Sequence, residues 1–134
     1  MRRIEVTTTR AIEAIDVTDS ITSSAWPDGW LILNAPHTTA ALIIGENDPE
    51  MLADYEKVAA QLPAPFEPFR HHRNDNPNAA AHVISSFAGT QLLLPVETGR
   101  VMLGTWQRII FIELDGPKRR IIMAGSAAAQ ALEE

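Results

Sequence analysis

The chain has no cysteine, which excludes disulfides, thiolate nucleophiles and sulfur-ligated zinc or iron–sulfur centres together. Any metal must then be held by His, Asp, Glu or amide oxygens. There is no apolar run approaching the roughly 20 residues of a membrane helix, and the start Met1-Arg2-Arg3-Ile4-Glu5 lacks an apolar signal segment. A cytoplasmic location with no membrane partner is expected. Positive charge is also scarce: 11 Lys and Arg face 17 Asp and Glu, and the formal charge of −6 argues against a nucleic-acid partner. Phosphate-bearing small molecules stay compatible with a local basic pocket. Internal repeats are absent as well, and 134 residues fit one domain spanning 1–134.

Within that frame, Arg3 to Thr8 alternates with period two and is β-branched, the pattern of a half-buried strand. Further strands are expected at Glu13–Val17, Trp30–Asn34, Thr39–Ile44, Thr90–Leu94, Arg100–Met102, Gln107–Leu114 and Arg119–Ala124. Thr18-Asp19-Ser20 offers caps for a short helix running to about Trp26. Asp48-Pro49-Glu50 is a helix start, with Met51, Leu52, Tyr55, Val58, Ala59 and Leu62 as its inner face. Pro63 to Asn78 holds four prolines and six charged or histidine residues and reads as a long irregular loop. A helix resumes over Ala79–Phe87 and stops at Gly89. Strands, then helices, then a β meander make an α+β domain with a mostly antiparallel or mixed sheet and two or three helices.

All four histidines fall between positions 37 and 82. His37 sits at a strand break, His71 and His72 in the long loop, and His82 in the first turns of a helix. Three imidazoles with an open position suit zinc; the alternative is imidazolium binding of phosphate without metal. Asp75 is either the acceptor that orients one imidazole or a solvated loop acid. Glu46 and Asn47 lie between a strand end and the Asp48 cap, so Glu46 is free to act as base, metal ligand or cation stabiliser. Gly104-Thr105 presents N–H and hydroxyl donors suited to phosphate, and Trp106 is read as core in preference to a stacking platform. Arg119 and Arg120 alternate, so only one can reach a cleft.

The runs His37-Thr38-Thr39-Ala40-Ala41-Leu42, Glu46-Asn47, Ala79-Ala80-Ala81-His82, Gly104-Thr105-Trp106-Gln107 and Asp115-Gly116-Pro117-Lys118-Arg119-Arg120 together resemble the YjbQ-like family, in order and across nearly the whole chain. Two positions depart from its pattern: Gly45, where the family often carries Asn or Gln, and Lys118, where it carries Arg. The aromatic-x-His spacing from Phe69 favours His71 over His72 as the motif histidine.

The resemblance implies a trimeric α+β domain with a polar cleft, and a secondary thiamine-phosphate synthase activity that joins a pyrimidine-methyl diphosphate to a thiazole phosphate. The site then comprises His37, His82 and Glu46 as catalytic groups. Thr38, Thr39, Asn47, Asp75, Gly104, Thr105, Gln107 and Arg119 are its substrate-binding groups. A divalent ion is expected at His37, His71 and His82, zinc above all, with magnesium as the ion that accompanies a diphosphate. Metal-assisted hydrolysis of a phosphorylated or amide substrate, with Glu46 as proton acceptor, is the competing chemistry. A non-enzymatic trimeric module for a metal or an anionic metabolite is the competing class.

Overall fold

Two antiparallel sheets face each other across the main core, and two helices cover the far side of the smaller one. The computed structural model describes residues 1–71 and 77–130. The larger sheet contains β1 (Arg2–Thr7), β8 (Arg119–Ala127), β3 (Gly29–Asn34), β5 (Gln91–Glu97) and β6 (Arg100–Val101), in that spatial order. The smaller contains β2 (Glu13–Asp16), β7 (Arg108–Glu113) and β4 (Ala40–Gly45). Among the described residues the helices are α1 (Thr18–Thr22), α2 (Pro49–Gln61) and α3 (Ala79–Ala88), with a 3-10 turn at Ala64–Phe66. Among the described residues every strand pair is antiparallel, the first of the two sheet types expected.

Strand β7 explains the layering. Ile109 and Phe111 point into the core between the sheets, with Leu31, Leu33 and Ile122. Ile110 and Ile112 point the other way and pack with Ala41, Ala59 and Ala81 under α2 and α3. A strand covered on both faces is apolar throughout, which accounts for the run Ile109-Ile110-Phe111-Ile112 inside one chain. Leu93 and Ile32 do face outward, 51% and 41% exposed and directly paired across β5 and β3.

Helix α2 starts as its sequence dictates: Asp48 Oδ1 accepts the Met51 N–H at 2.7 Å and Pro49 occupies the first turn. Its buried side is narrower than the spacing suggests, because Leu52, Tyr55 and Ala59 pack inward while Val58 and Leu62 stay exposed. Helix α1 ends at Thr22, short of Trp26; the Trp26 indole is buried and donates to the Ile21 carbonyl at 2.9 Å. Ser85 of α3 donates to the Ala40 carbonyl at 2.6 Å, fixing that helix beside the start of β4.

Candidate functional site

Alternation along β7 and β8 places one acid and one base where core residues belong. Glu113 continues the inward row of Ile109 and Phe111, and Arg120 that of Ile122, so the two meet between the sheets at one end of the sandwich. Glu113 is fully buried and Arg120 is 6% exposed. Arg120 grips the carboxylate with Nε, at 2.9 Å, and with Nη2, which also donates to the Thr39 hydroxyl at 2.8 Å and carbonyl at 3.1 Å. The Thr8 hydroxyl and the Leu114 and Asp115 amides complete the carboxylate's shell at 2.8, 3.0 and 3.0 Å. Burial pushes the Glu113 carboxyl up, but the Arg120 hydrogen bond, with those from Asp115 and Thr8, outweighs it and holds the pKa below the ordinary value. Gly116 is needed here: a Cβ on it would lie 2.3 Å from the Arg10 carbonyl and 2.7 Å from Glu113 Cγ.

His37 lies at this same end. Its Nε2 is 3.1 Å from the Ile121 amide nitrogen and 3.0 Å from the Ile121 carbonyl, so the ring accepts from the one or donates to the other according to its tautomer. The imidazole thus occupies the place of a strand neighbour where β3 has ended. Desolvation lowers its pKa, and the nearby Arg120 and Lys118 charges lower it further against the Ile121 bond and the Glu113 charge. Lys118 Nζ bonds Asp115 Oδ2 at 3.0 Å, and Asn78, at the start of α3, donates to the same oxygen at 3.3 Å. Nδ1 of His37 and Nη1 of Arg120 have no hydrogen-bond partner among the described residues. The Arg120 guanidinium, paired with Glu113, and the Lys118 ammonium, paired with Asp115, therefore lie near enough to the His37 imidazole for their charges to act on it.

The remaining expected residues divide. Thr38 is exposed beside His37, and Thr39 is buried on Arg120. His82 stands one turn into α3, and its ring meets that of His71 edge to face, with centroids 5.1 Å apart. His72 and Asp75 lie outside the described residues. Within one chain and among the described residues, no three His, Asp or Glu side chains could hold one ion, and His37 Nε2 is engaged by backbone. Glu46, Asn47, Gly104, Thr105 and Gln107 sit at the opposite end of the small sheet. Ala40 pairs with Glu113 and Gly45 with Arg108, five residues on, which is about 17 Å of strand. The single cleft expected from the motifs is not formed within one chain.

Several individual roles change with it. The Asn47 amide is spent on Asp16 Oδ2 at 2.7 Å, beside Arg108 on the same oxygen at 2.7 Å. Gln107 Oε1 takes the Gly104 N–H at 2.8 Å and staples its own turn. Trp106, read as core, is 73% exposed at that turn. Arg119 faces solvent; its neighbour Arg120 is the inward residue of the pair. Glu113 belongs to none of the motifs, and its signal in the sequence is an acid closing the row Ile109, Phe111 at core parity.

The family model described as "UPF0047 protein YjbQ-like" matches residues 2–127. The chain belongs to the YjbQ-like family. A UPF0047 protein of Archaeoglobus fulgidus is 39% identical over 118 residues, 87% of this chain and 93% of that protein. YugU of Bacillus subtilis is 35% identical over 127 residues, covering 90% and 93%. Among solved structures, a hypothetical protein of Aeropyrum pernix superposes with a TM-score of 0.86 at 33% identity, over 95% of this chain and 97% of that one. A protein of unknown function from Sulfolobus solfataricus gives 0.81 at 30%, over 93% and 96%. The YjbQ-like departure at Gly45 has a local cause: a Cβ there would fall 2.4 Å from the Tyr55 hydroxyl, which donates to the Glu46 carbonyl at 2.9 Å.

Proposed function

We propose that the chain is a cytoplasmic enzyme of the secondary thiamine-phosphate synthase type, with His37, Arg120 and Lys118 receiving the diphosphate of the pyrimidine substrate. The observation that carries this reading is the Arg120 guanidinium, locked by buried Glu113 and Thr39 with Nη1 uncommitted beside His37. In the reaction the thiazole nitrogen forms a bond to the pyrimidine's exocyclic carbon as the carbon–oxygen bond to diphosphate breaks. The leaving group takes up negative charge, and donors already fixed in place stabilise it without reorganising. Thr38 adds a hydroxyl. No strong base is needed, which matters because Glu46 sits at the other end of β4; metal-assisted hydrolysis through Glu46 loses support for the same reason.

A divalent ion belongs to the proposal only as a counter-charge to diphosphate. The His71 and His82 rings are in edge-to-face contact, and a pair of imidazoles suits zinc better than magnesium, with substrate oxygens completing the set. We also propose a homotrimer, supported by the paired, exposed Ile32 and Leu93 on the outer sheet face. Light scattering after gel filtration measures that directly.

The activity test is formation of thiamine phosphate from the two phosphorylated heterocycles, followed by chromatography. Wild type should exceed the protein-free blank, and Lys118→Met should lower kcat by about 100-fold, the usual loss for one charge-stabilising donor. Absence of product with any divalent ion, together with undiminished metabolite binding, would replace the enzyme with a binding module.

A further inference from the structure

At the far end of the sandwich, three connections converge around a cavity of about 500 Å³: the α1–β3 segment, the β5–β6 turn and the β6–β7 turn. Its walls include Thr22, Ser24, Arg100, Thr105 and Arg108, with buried Thr18 as floor. It is separated from the His37 end by the length of β4, about 17 Å.

The charges there are not equivalent. Arg108 is held by Asp16 at 2.7 Å and Asp19 at 3.1 Å, which fixes its plane and offsets most of its charge. Arg100 has no ion-pair partner among the described residues, although Glu97 stands opposite it in the hairpin register. The Ser24 and Thr105 hydroxyls make no hydrogen bond within the described residues, whereas Thr22 donates to the Thr18 carbonyl at 3.0 Å. The walls are tied down. Gly99 donates to Asp28 Oδ1 at 2.8 Å, tying the β5–β6 turn to the α1–β3 segment, and the Gln107 staple fixes the turn that carries Thr105.

We propose that this cavity is a second binding site, for a phosphate monoester of a small metabolite, with Arg100 as charge partner and Ser24 and Thr105 as hydroxyl donors. A guanidinium and neutral O–H donors complement a phosphoryl group, which accepts several hydrogen bonds and donates few. The volume lies within the range of small-molecule sites and exceeds what inorganic phosphate alone would fill, leaving room for the ester's organic group. The site stands independently of the chemistry proposed at His37.

The test is a two-dimensional amide NMR titration of the full chain with inorganic phosphate and, separately, phenyl phosphate, against sodium chloride at matched ionic strength. Saturable shifts at Ser24, Gly99 and Thr105 are expected, with phenyl phosphate the tighter ligand. Arg100→Gln should weaken binding at these amides by about tenfold or more, the scale of one charge-assisted contact. Ser24→Ala should weaken it less. The Ile121 and Lys118 amides report the other end of the molecule, so phosphate bound there is read separately. Shifts that chloride reproduces, or that persist at full strength in Arg100→Gln, overturn the proposal.

Discussion

Arg120 and Glu113 come from different sheets, and their side chains bridge the open end of the core where the apolar rows of β8 and β7 stop. A buried pair of this kind contributes little relative to a well-packed apolar pair, because both ions lose their hydration. Its importance lies in what happens when it is broken.

Arg120→Met alone should lower stability by about 3–5 kcal/mol, since Glu113 is left charged with no counter-ion in a fully buried position. The double variant Arg120→Met, Glu113→Leu should recover most of that loss. Urea unfolding of the single and double variants gives the coupling, and a coupling below about 1 kcal/mol would show that the pair does not act as a unit.

Acid should weaken the fold in two stages. Burial holds His37 neutral below its ordinary value of 6.5, so the unfolded chain binds more protons and stability falls as pH drops from 6.5 through the folded pKa. Glu113, held below 4.5, contributes stability that is present above that value and is lost as pH falls through its own folded pKa. Melting temperature measured against pH should show both stages, and His37→Asn should remove the upper one. An unchanged upper stage in that variant would assign it to another group.

Gly45→Ala should cost about 1–3 kcal/mol through overpacking against Tyr55. Adding Tyr55→Phe, which removes the atom closest to the new methyl, should restore part of the loss. If Gly45→Ala is neutral by thermal denaturation, Tyr55 has moved at no cost and the glycine has a different origin.

Zinc titration separates the histidines. Binding monitored by calorimetry should weaken in His71→Ala and His82→Ala and stay at the wild-type value in His37→Ala, whose Nε2 faces Ile121. Equal loss in all three variants would return His37 to the ligand set.

Strand positions were legible because period-two alternation and turn residues act locally: β1, β3, β4 and β7 all lie within a residue or two of where the pattern puts them. The site was legible only as a list of residues. His37 and Glu46 are near in sequence, yet an extended strand between them is the longest separation a short segment can make. Helical spacing made Val58 and Leu62 look like core, but α2 lies against a three-stranded sheet too narrow to cover its full apolar stripe. Trp106 failed for the opposite reason, since nothing in a four-residue turn says which way it presents its ring. Arg120 and Glu113 were hidden by being charged, which argues for surface until both strands are aligned.

The contact between His37 and Ile121 also turns one end of the larger sheet into a reporter. In the neutral ring that burial favours, an anion held at Nδ1 requires the proton on that nitrogen, which leaves Nε2 as acceptor for the Ile121 amide; with the proton on Nε2 the ring donates to the carbonyl and that amide loses its partner. Occupancy at His37 is therefore written into the solvent protection of a single peptide group on β8, readable by hydrogen exchange without any knowledge of the ligand.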